Sequence, residues 1–578
     1  MTNPPTTTPV ASGNSTAAPT TTPVASGNST AAQTLATSAT ATTGKGTNPL
    51  VIKGYRFFDS VTGEYVGMRG VNYYPRTNTG ALDANNLDLF SDKFKHIWER
   101  DLPQFAALNA NSIRLYAVDA DANHDEFMCA LQSLGIYVLV DLGSSCQGCE
   151  ITADKAPTCY PASYKQRGEK IIKAFSKYDN VLGFSGGNEI NHRTGGNPPQ
   201  WNAPCQKKFV RDMRAFIKSC PSMRQIPVGL VMADTSRPEN AKYYNCRTDP
   251  NDKLENAEWY GINVYVHCDD INDPTKAAGF NLLRDDFESY DYSIPVILTE
   301  FGCTAPSFPT LDGYEAQRTF HDAKWMNTKE YSHVFNGGFA FEYSTENANS
   351  KSTSEFPFKK FGPQNYGLGY LTPEDCDDVD VKCSFKRFPN FDSLADAYKA
   401  TDNSGEPTLS TFTVEANRKD PTACPAQFPK LKDLTWAGDS QDSIACPTEG
   451  RFQCPNVPLN LQITAVESAE AEGSASSGAG TKKEEAGSDS EKSENSQDDS
   501  EGEEPPAEED GEATEETGSN GNASAKPSAQ KDKSGASGYG SQSDLRPGNA
   551  PAPSSSSTLG GSTVATAVCL SALFVALM

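Results

Sequence analysis

The chain is poor in several things, and each shortage removes a class of function. Only six histidines occur among 578 residues, so a histidine-rich metal centre or a general base of the esterase type has few candidates. The one C-x-x-C, Cys146-Gln-Gly-Cys149, has the spacing of a zinc half-site, but no second C-x-x-C and no H-x-x-x-H completes it. Positive charge is in deficit. The formal net charge is -25, which disfavours nucleic acid as a partner. Long apolar runs are missing too, because the most apolar stretch is the final fifteen residues, 564–578, too short to span a bilayer comfortably.

What is present divides the chain unevenly. Residues 1–45 are nearly all Thr, Ala, Ser, Pro, Gly and Asn and carry a tandem repeat starting at Pro5 and Pro19, the composition of a disordered, O-glycosylated stalk. Asn14, Asn28 and Asn522 sit in N-glycosylation acceptors. The stretch 467–516 holds 19 acids against three lysines, so it accounts for -16 of the charge and leaves -9 for everything else. Residues 466–563 therefore read as an acidic, then Ser/Gly/Pro-rich linker. Small residues at 548–550, a polar spacer at 551–563 and the apolar end match a signal for replacement by glycosylphosphatidylinositol. That tail predicts a lipid-anchored protein on the outer face of the plasma membrane, although no secretory leader is visible after Met1. Of the 15 cysteines one, Cys569, lies in the tail. The other 14, an even number, predict an oxidising compartment, several disulfides and no free thiol.

The stretch V-L-G-F-S-G-G-N-E, 181–189, is an apolar run that ends at two glycines, an amide and a carboxylate. A buried parallel strand ends in this way at an active site. About a hundred residues on, P-V-I-L-T-E-F, 295–301, carries one interior acid, Glu300. A carboxylate there costs several kcal/mol unless its site uses it. Short apolar segments recur at 68–74, 112–118, 137–142, 181–184, 227–232, 259–265, 295–301 and 338–343, with helix-period spacers between them. Eight such units predict an α/β fold, a (β/α)8 barrel over 46–400 with its chemistry at the C-terminal ends of the strands, followed by a cysteine-containing extension at 401–465. Glu189 then follows the fourth strand and Glu300 ends the seventh. Two carboxylates on one rim are the acid/base and nucleophile of a glycosidase.

Other strand ends offer Tyr73, Tyr74, Tyr116, Asp141, Asp234, Tyr265 and Tyr343, with Asn188 beside Glu189. Aromatic faces stack on sugar rings, and amides and carboxylates bind their hydroxyls. Each has a plainer reading: a strand-end Tyr can simply pack, and Asp141 can cap a helix. The segment Gly183-Phe184-Ser185-Gly186-Gly187 formally fits a nucleophile elbow, but the breakers that follow it leave no room for the helix that motif requires.

Five ordered motifs carry a resemblance: N-S-I-R-L-Y-A-V-D (111–119), Y-D-N-V-L-G-F-S-G-G-N-E (178–189), I-P-V-G (226–229), W-Y-G-I-N-V-Y (259–265) and I-P-V-I-L-T-E-F-G-C (294–303). From about 50 to 400 the chain resembles the glycoside hydrolase family 72 enzymes, lipid-anchored β-1,3-glucanosyltransferases of fungal-type cell walls. The resemblance implies a retaining reaction without cofactor or metal, on β-1,3-glucan donor and acceptor chains. It implies Glu189 as acid/base and Glu300 as nucleophile. Tyr116, Asp141, Asn188 and Tyr265 are implied in the donor subsites, Asp234 and Arg237 as further sugar contacts, Tyr343 as a retained rim tyrosine and Tyr366 as the aromatic presented to the acceptor. It also implies a Cys268–Cys303 disulfide and a second one beginning at Cys246. Departures stand out: Tyr74 where the family usually has Gln, Phe341 where it has Tyr, an insertion at 346–363, and Trp98 and Phe127 in place of an early cysteine pair. Substrate length and acceptor preference are where these changes should act.

Overall fold

The computed structural model describes residues 46–75, 87–194, 198–303, 308–362, 365–374 and 382–455. The stalk, the acidic linker and the apolar tail anticipated above lie outside the described residues. Eight strands close into one parallel barrel: β1 (Met68–Tyr73), β2 (Ser112–Leu115), β3 (Tyr137–Asp141), β4 (Val181–Asn188), β5 (Val228–Ala233), β6 (Tyr260–Asn263), β7 (Val296–Phe301) and β8 (Phe335–Ala340). All eight overlap the segments picked out by apolar patterning, β8 beginning three residues before its segment. These runs are nearly continuous because parallel strands are covered on both faces. Helices such as α1 (Lys95–Ala107), α2 (Asp125–Ser133), α3 (Ala162–Phe175), α4 (Ala203–Ser219) and α5 (Arg237–Tyr244) form the outer layer.

The barrel is solid below and open above. Met68, Leu139, Leu182, Val231, Trp259, Ile297 and Phe339 fill its lower interior, and a hairpin of Leu50–Lys53 with Arg56–Asp59 adds Leu50 and Phe57 to the same cluster. The lower mouth is thus plugged, and the strand C-termini are left to form a site.

The bounds differ most at β8 and at β4. β4 does not stop at Phe184 but runs to Asn188, with its register against β5 shifting between Ser185 and Asn188. Gly186 and Gly187 sit in that irregularity. A Cβ on Gly186 would lie 2.8 Å from both Gln206 and Val210, and Gly187 has φ 151°. Only glycine fits such a close approach, and the irregularity re-aims the residues after it.

Residues 401–455 run along the outside of the barrel and are tied to it by three disulfides, Cys246–Cys424, Cys220–Cys446 and Cys129–Cys454. Lys165 of α3 donates to Gly438 O at 3.0 Å and Gln441 O at 2.8 Å, and Trp436 is buried. The expected Cys268–Cys303 bond is present, with Cys159–Cys205, and Cys146 pairs with Cys149 rather than forming half of a zinc site. Every cysteine among the described residues is disulfide-bonded. Thiol titration of the denatured, unreduced 46–465 segment is therefore expected to find less than one thiol per chain, and two or more would contradict this network. The three long-range bonds close loops of 178 to 325 residues, so each should contribute about 2–5 kcal/mol.

Candidate active site

The upper rim holds a buried polar network built around a residue that the sequence reading passed over. Arg114, interior to β2, is fully buried. Its Nη2 donates to Asp141 Oδ2 at 2.7 Å and Asn188 Oδ1 at 3.0 Å, its Nε to Asp141 Oδ1 at 3.3 Å, and its Nη1 to Glu300 Oε1 at 3.0 Å. One guanidinium thereby fixes side chains from β3, β4 and β7, which is what a planar fork with five donors does best. The available signal was a lone arginine inside an apolar strand, which needs partners to be tolerated there.

Glu300 is held on both oxygens. Tyr265 O–H donates to Oε2 at 2.7 Å, while Tyr116 O–H lies 3.1 Å from Oε1 and 2.7 Å from Asn72 Oδ1, sharing its single proton. Asn72, on β1, also went unrecognised. It donates to Phe339 O and Ala340 O, and so links β1 to β8.

Glu189 is held differently. Its backbone has φ 49°, in the left-handed region, directly after the irregular end of β4. Ala117, following Tyr116, has φ 53°. Strained residues of this kind persist where the surroundings over-determine them, and they cluster at functional sites. Asn263 of β6, a third unrecognised residue, donates to Glu189 Oε1 at 2.8 Å and to Asn188 Oδ1 at 3.2 Å, and its own oxygen accepts from Thr299. His192 Nε2 stands 3.8 Å from Glu189 Oε2, too far for a direct hydrogen bond.

These surroundings separate the two carboxyls. Burial first, and then the Glu300 charge, push Glu189 up to about 8, against the weaker pull of Asn263 and Arg114. Burial also lifts Glu300, but Arg114, Tyr265 and Tyr116 oppose it. Glu300 accepts from a cation and two phenols, whereas Glu189 has one neutral amide donor. A proton shared by the pair therefore resides on Glu189, leaving Glu300 ionised. Burial raises Asp141 too, and Arg114 and Ser185 hold it down.

Beside the pair opens a cleft whose walls include Tyr74, Tyr116, Asp141, Glu150, Asn188 and Ile190. Tyr116, Asp141 and Asn188 thus meet at one place, as the motifs suggested. Tyr265 joins them through Glu300. Other expected residues lie elsewhere. Tyr343 is fully buried, stacked on Phe385 with centroids 4.5 Å apart and set edge-on to Tyr73, so it packs the layer outside the barrel and does not reach the cleft. Tyr73 donates to Asp101 of α1 and is likewise a core residue. Arg237 is locked by Asp234 on two nitrogens and by Asp286 on a third, so the two expected sugar contacts engage each other. Tyr366 is 8 % exposed and packs with Phe341, Phe361 and Ala316, its ring 6.1 Å from Phe341, which in turn stands 6.4 Å from Tyr265. Arg318, buried and donating to Phe341 O and Tyr366 O, ties this cluster together.

Comparison with known proteins finds related chains. The profile of the family described as Glucanosyltransferase matches residues 39–352, more than half of the chain. The chain is 34 % identical over 331 residues to 1,3-beta-glucanosyltransferase gas4 of Schizosaccharomyces pombe, covering 57 % of this chain and 64 % of that protein. It is 32 % identical over 314 residues to 1,3-beta-glucanosyltransferase GAS5 of Saccharomyces cerevisiae, covering 54 % and 59 %. The chain thus spans about 60 % of the length of these curated relatives. Among solved structures it resembles Gas2 of Saccharomyces cerevisiae, crystallised with a small compound, at 25 % identity and a TM-score of 0.50 over 66 % of this chain and 77 % of that one.

Proposed function

Because the chain belongs to the glucanosyltransferase family, glycoside hydrolase family 72, we propose that it cleaves a β-1,3-glucan internally and transfers the new reducing end to another glucan chain. The observation that carries this reading is the asymmetric pair, a Glu300 held by Arg114 and two phenols beside a Glu189 with a single amide donor, which burial and the Glu300 charge push up. Glu300 attacks the anomeric carbon while Glu189 protonates the departing oxygen. A glycosyl ester on Glu300 results. Glu189, now ionised, takes the proton of the incoming hydroxyl, and the ester bond breaks with retention. Asn188, held by Arg114 and Asn263, is placed for the hydroxyl next to the reacting carbon, and Tyr116 and Tyr74 line the donor cleft. For transfer to outpace hydrolysis, the acceptor must be bound and oriented so that its hydroxyl exceeds the effective concentration of water.

The biological setting proposed is cell-wall assembly at the outer face of the plasma membrane, with the apolar tail exchanged for a lipid anchor. Among the described residues no helix is long and apolar enough to cross a membrane. A retaining glucanase that mainly hydrolyses is the second reading, favoured by the burial of Tyr366 and by the hydroxyl that Phe341 lacks.

An end-labelled β-1,3-gluco-oligosaccharide incubated with the 46–465 segment is expected to yield products longer than the substrate. Shorter products alone would establish the hydrolase, and unchanged but bound substrate would refute catalysis. The pH dependence follows from the same pair. The reaction needs Glu300 ionised and Glu189 protonated, so kcat/KM is expected to fall with rising pH as Glu189 loses its proton near 8, and to fall with decreasing pH as Glu300 gains one. A rate still rising through pH 9 would contradict the assignment.

A further inference from the structure

Of the five tryptophans, Trp98, Trp259, Trp325 and Trp436 are buried, and Trp201 alone is exposed, at 43 %. Among the described residues the exposed large apolar side chains are Val51, Val61, Trp201, Ile271 and Leu282, of which only Trp201 is aromatic. A single apolar side chain at a surface is ordinarily unremarkable. This one is held as a platform. Its indole N–H donates to Ala153 O at 2.7 Å, and its backbone carbonyl accepts from Ala156 N at 3.0 Å. The ring is thus pinned by its edge to the loop after β3. Lys155 on that loop has its ammonium over the ring, 5.7 Å from the centroid, a cation–π contact on one face that also brings a donor to the platform.

The platform is held by the two loops that also line the cleft. Ser144, Ser145 and Glu150, from the same loop after β3, line the cleft, as does Ile190, the residue after Glu189. Asn202, next to Trp201, donates to Ile190 O at 3.1 Å and Thr152 O at 3.2 Å, bridging the two loops, and the Cys159–Cys205 disulfide joins the same segments again. An exposed indole on the active-site face, with its own donor already satisfied and its supports cross-linked, presents an apolar face at little cost in ordering. The partner chemistry that fits is a pyranose ring, whose C–H face stacks on the indole while its hydroxyls reach a neighbouring cation.

We propose that Trp201 is an outlying glucan-binding subsite, stacking on a sugar of the chain that occupies the cleft, several units from the cleaved bond. The proposal rests on the glucan reading above. It makes chain length a determinant of affinity: oligosaccharides too short to reach the indole gain nothing from it.

The test uses Glu300→Gln protein, in which bound chains are not consumed, titrated with β-1,3-gluco-oligosaccharides of increasing length. Because the other four indoles are buried, acrylamide quenching of tryptophan emission reports mainly on Trp201. Long chains are expected to protect it, and the shortest are not. In otherwise unaltered protein, Trp201→Ala should lower the ratio of kcat/KM for long over short chains by about 3- to 10-fold, the scale of one aromatic stacking contact, and Trp201→Tyr should restore most of it. Quenching that no chain length alters, although calorimetry shows the chains bound, would overturn the subsite while leaving the glucan reading intact. An unchanged length ratio in Trp201→Ala would do the same. Absence of binding at every length, with no product from the unaltered protein, would overturn both.

Discussion

Glu300→Gln is expected to lower turnover by about 10⁴-fold or more, the scale on which removal of a nucleophile is felt, while the protein stays folded. Gln has nearly the same shape, and its carbonyl oxygen can still accept from Arg114. Its amide cannot form the glycosyl ester, so the first step of a double displacement has no nucleophile. Two further consequences distinguish this from simple damage. The buried negative charge that helps to lift Glu189 is removed, so Glu189 should ionise at lower pH than in the unaltered protein. Arg114 retains its bidentate partner Asp141, so the thermal midpoint should move only a few degrees. Turnover above about one per cent in a folded Glu300→Gln protein would remove Glu300 as the nucleophile.

Arg114→Met should be the most damaging single substitution in stability. The guanidinium is fully buried, and it alone supplies positive charge to Asp141 and Glu300 in the ion pairs at the rim. Deleting it leaves two buried carboxylates uncompensated. Breaking a buried pair in this way costs about 3–5 kcal/mol, because the remaining charge keeps its desolvation penalty and loses its partner. The loss should shrink at low pH, where protonation of Asp141 and Glu300 relieves it, and denaturant unfolding at two pH values reads that difference. A stability loss below about 1 kcal/mol at neutral pH would refute the idea that this cation organises the rim. Arg114→Lys places one compact ammonium where a fork bridged Asp141, Asn188 and Glu300. It is expected to fold and to show the acid limb of its pH profile displaced upward, since Glu300 then loses part of what holds it ionised.

Particular residues show how far the sequence carries. Glu189 and Glu300 were legible because a carboxylate in an apolar run is costly enough to need a reason, and the reason was the same for both. Tyr116, Asp141 and Asn188 were legible through motif and position together. Arg114 was in plain view within N-S-I-R-L-Y, but an arginine in a strand has meaning only once its acceptors are known, and those come from 27, 74 and 186 residues away. Asn263 and Asn72 were missed for a related reason. An amide at a strand end fits many roles, and only the neighbour across the barrel selects one. Tyr343 misled because residue type at a rim position does not tell which way a ring turns.

By itself the sequence determined the alternation of strand and helix, the eight barrel strands and the two acids on one rim, since covering a parallel sheet on both faces demands continuous apolar runs that local composition records. It also determined that the cysteines among the described residues would pair. The tertiary structure alone decided which cysteines of the extension clamp α2, the end of α4 and the segment after α5, and that Asp141 and Tyr265 are hydrogen-bonded to Arg114 and Glu300. It also decided that Trp201 stands in solvent while four other indoles are buried. The reason is physical: hydrophobic periodicity is a property of neighbours along the chain. At a strand end the backbone leaves the β region, as at Ala117 and Glu189, and side-chain direction there is set by contacts with residues that folding brings from far away.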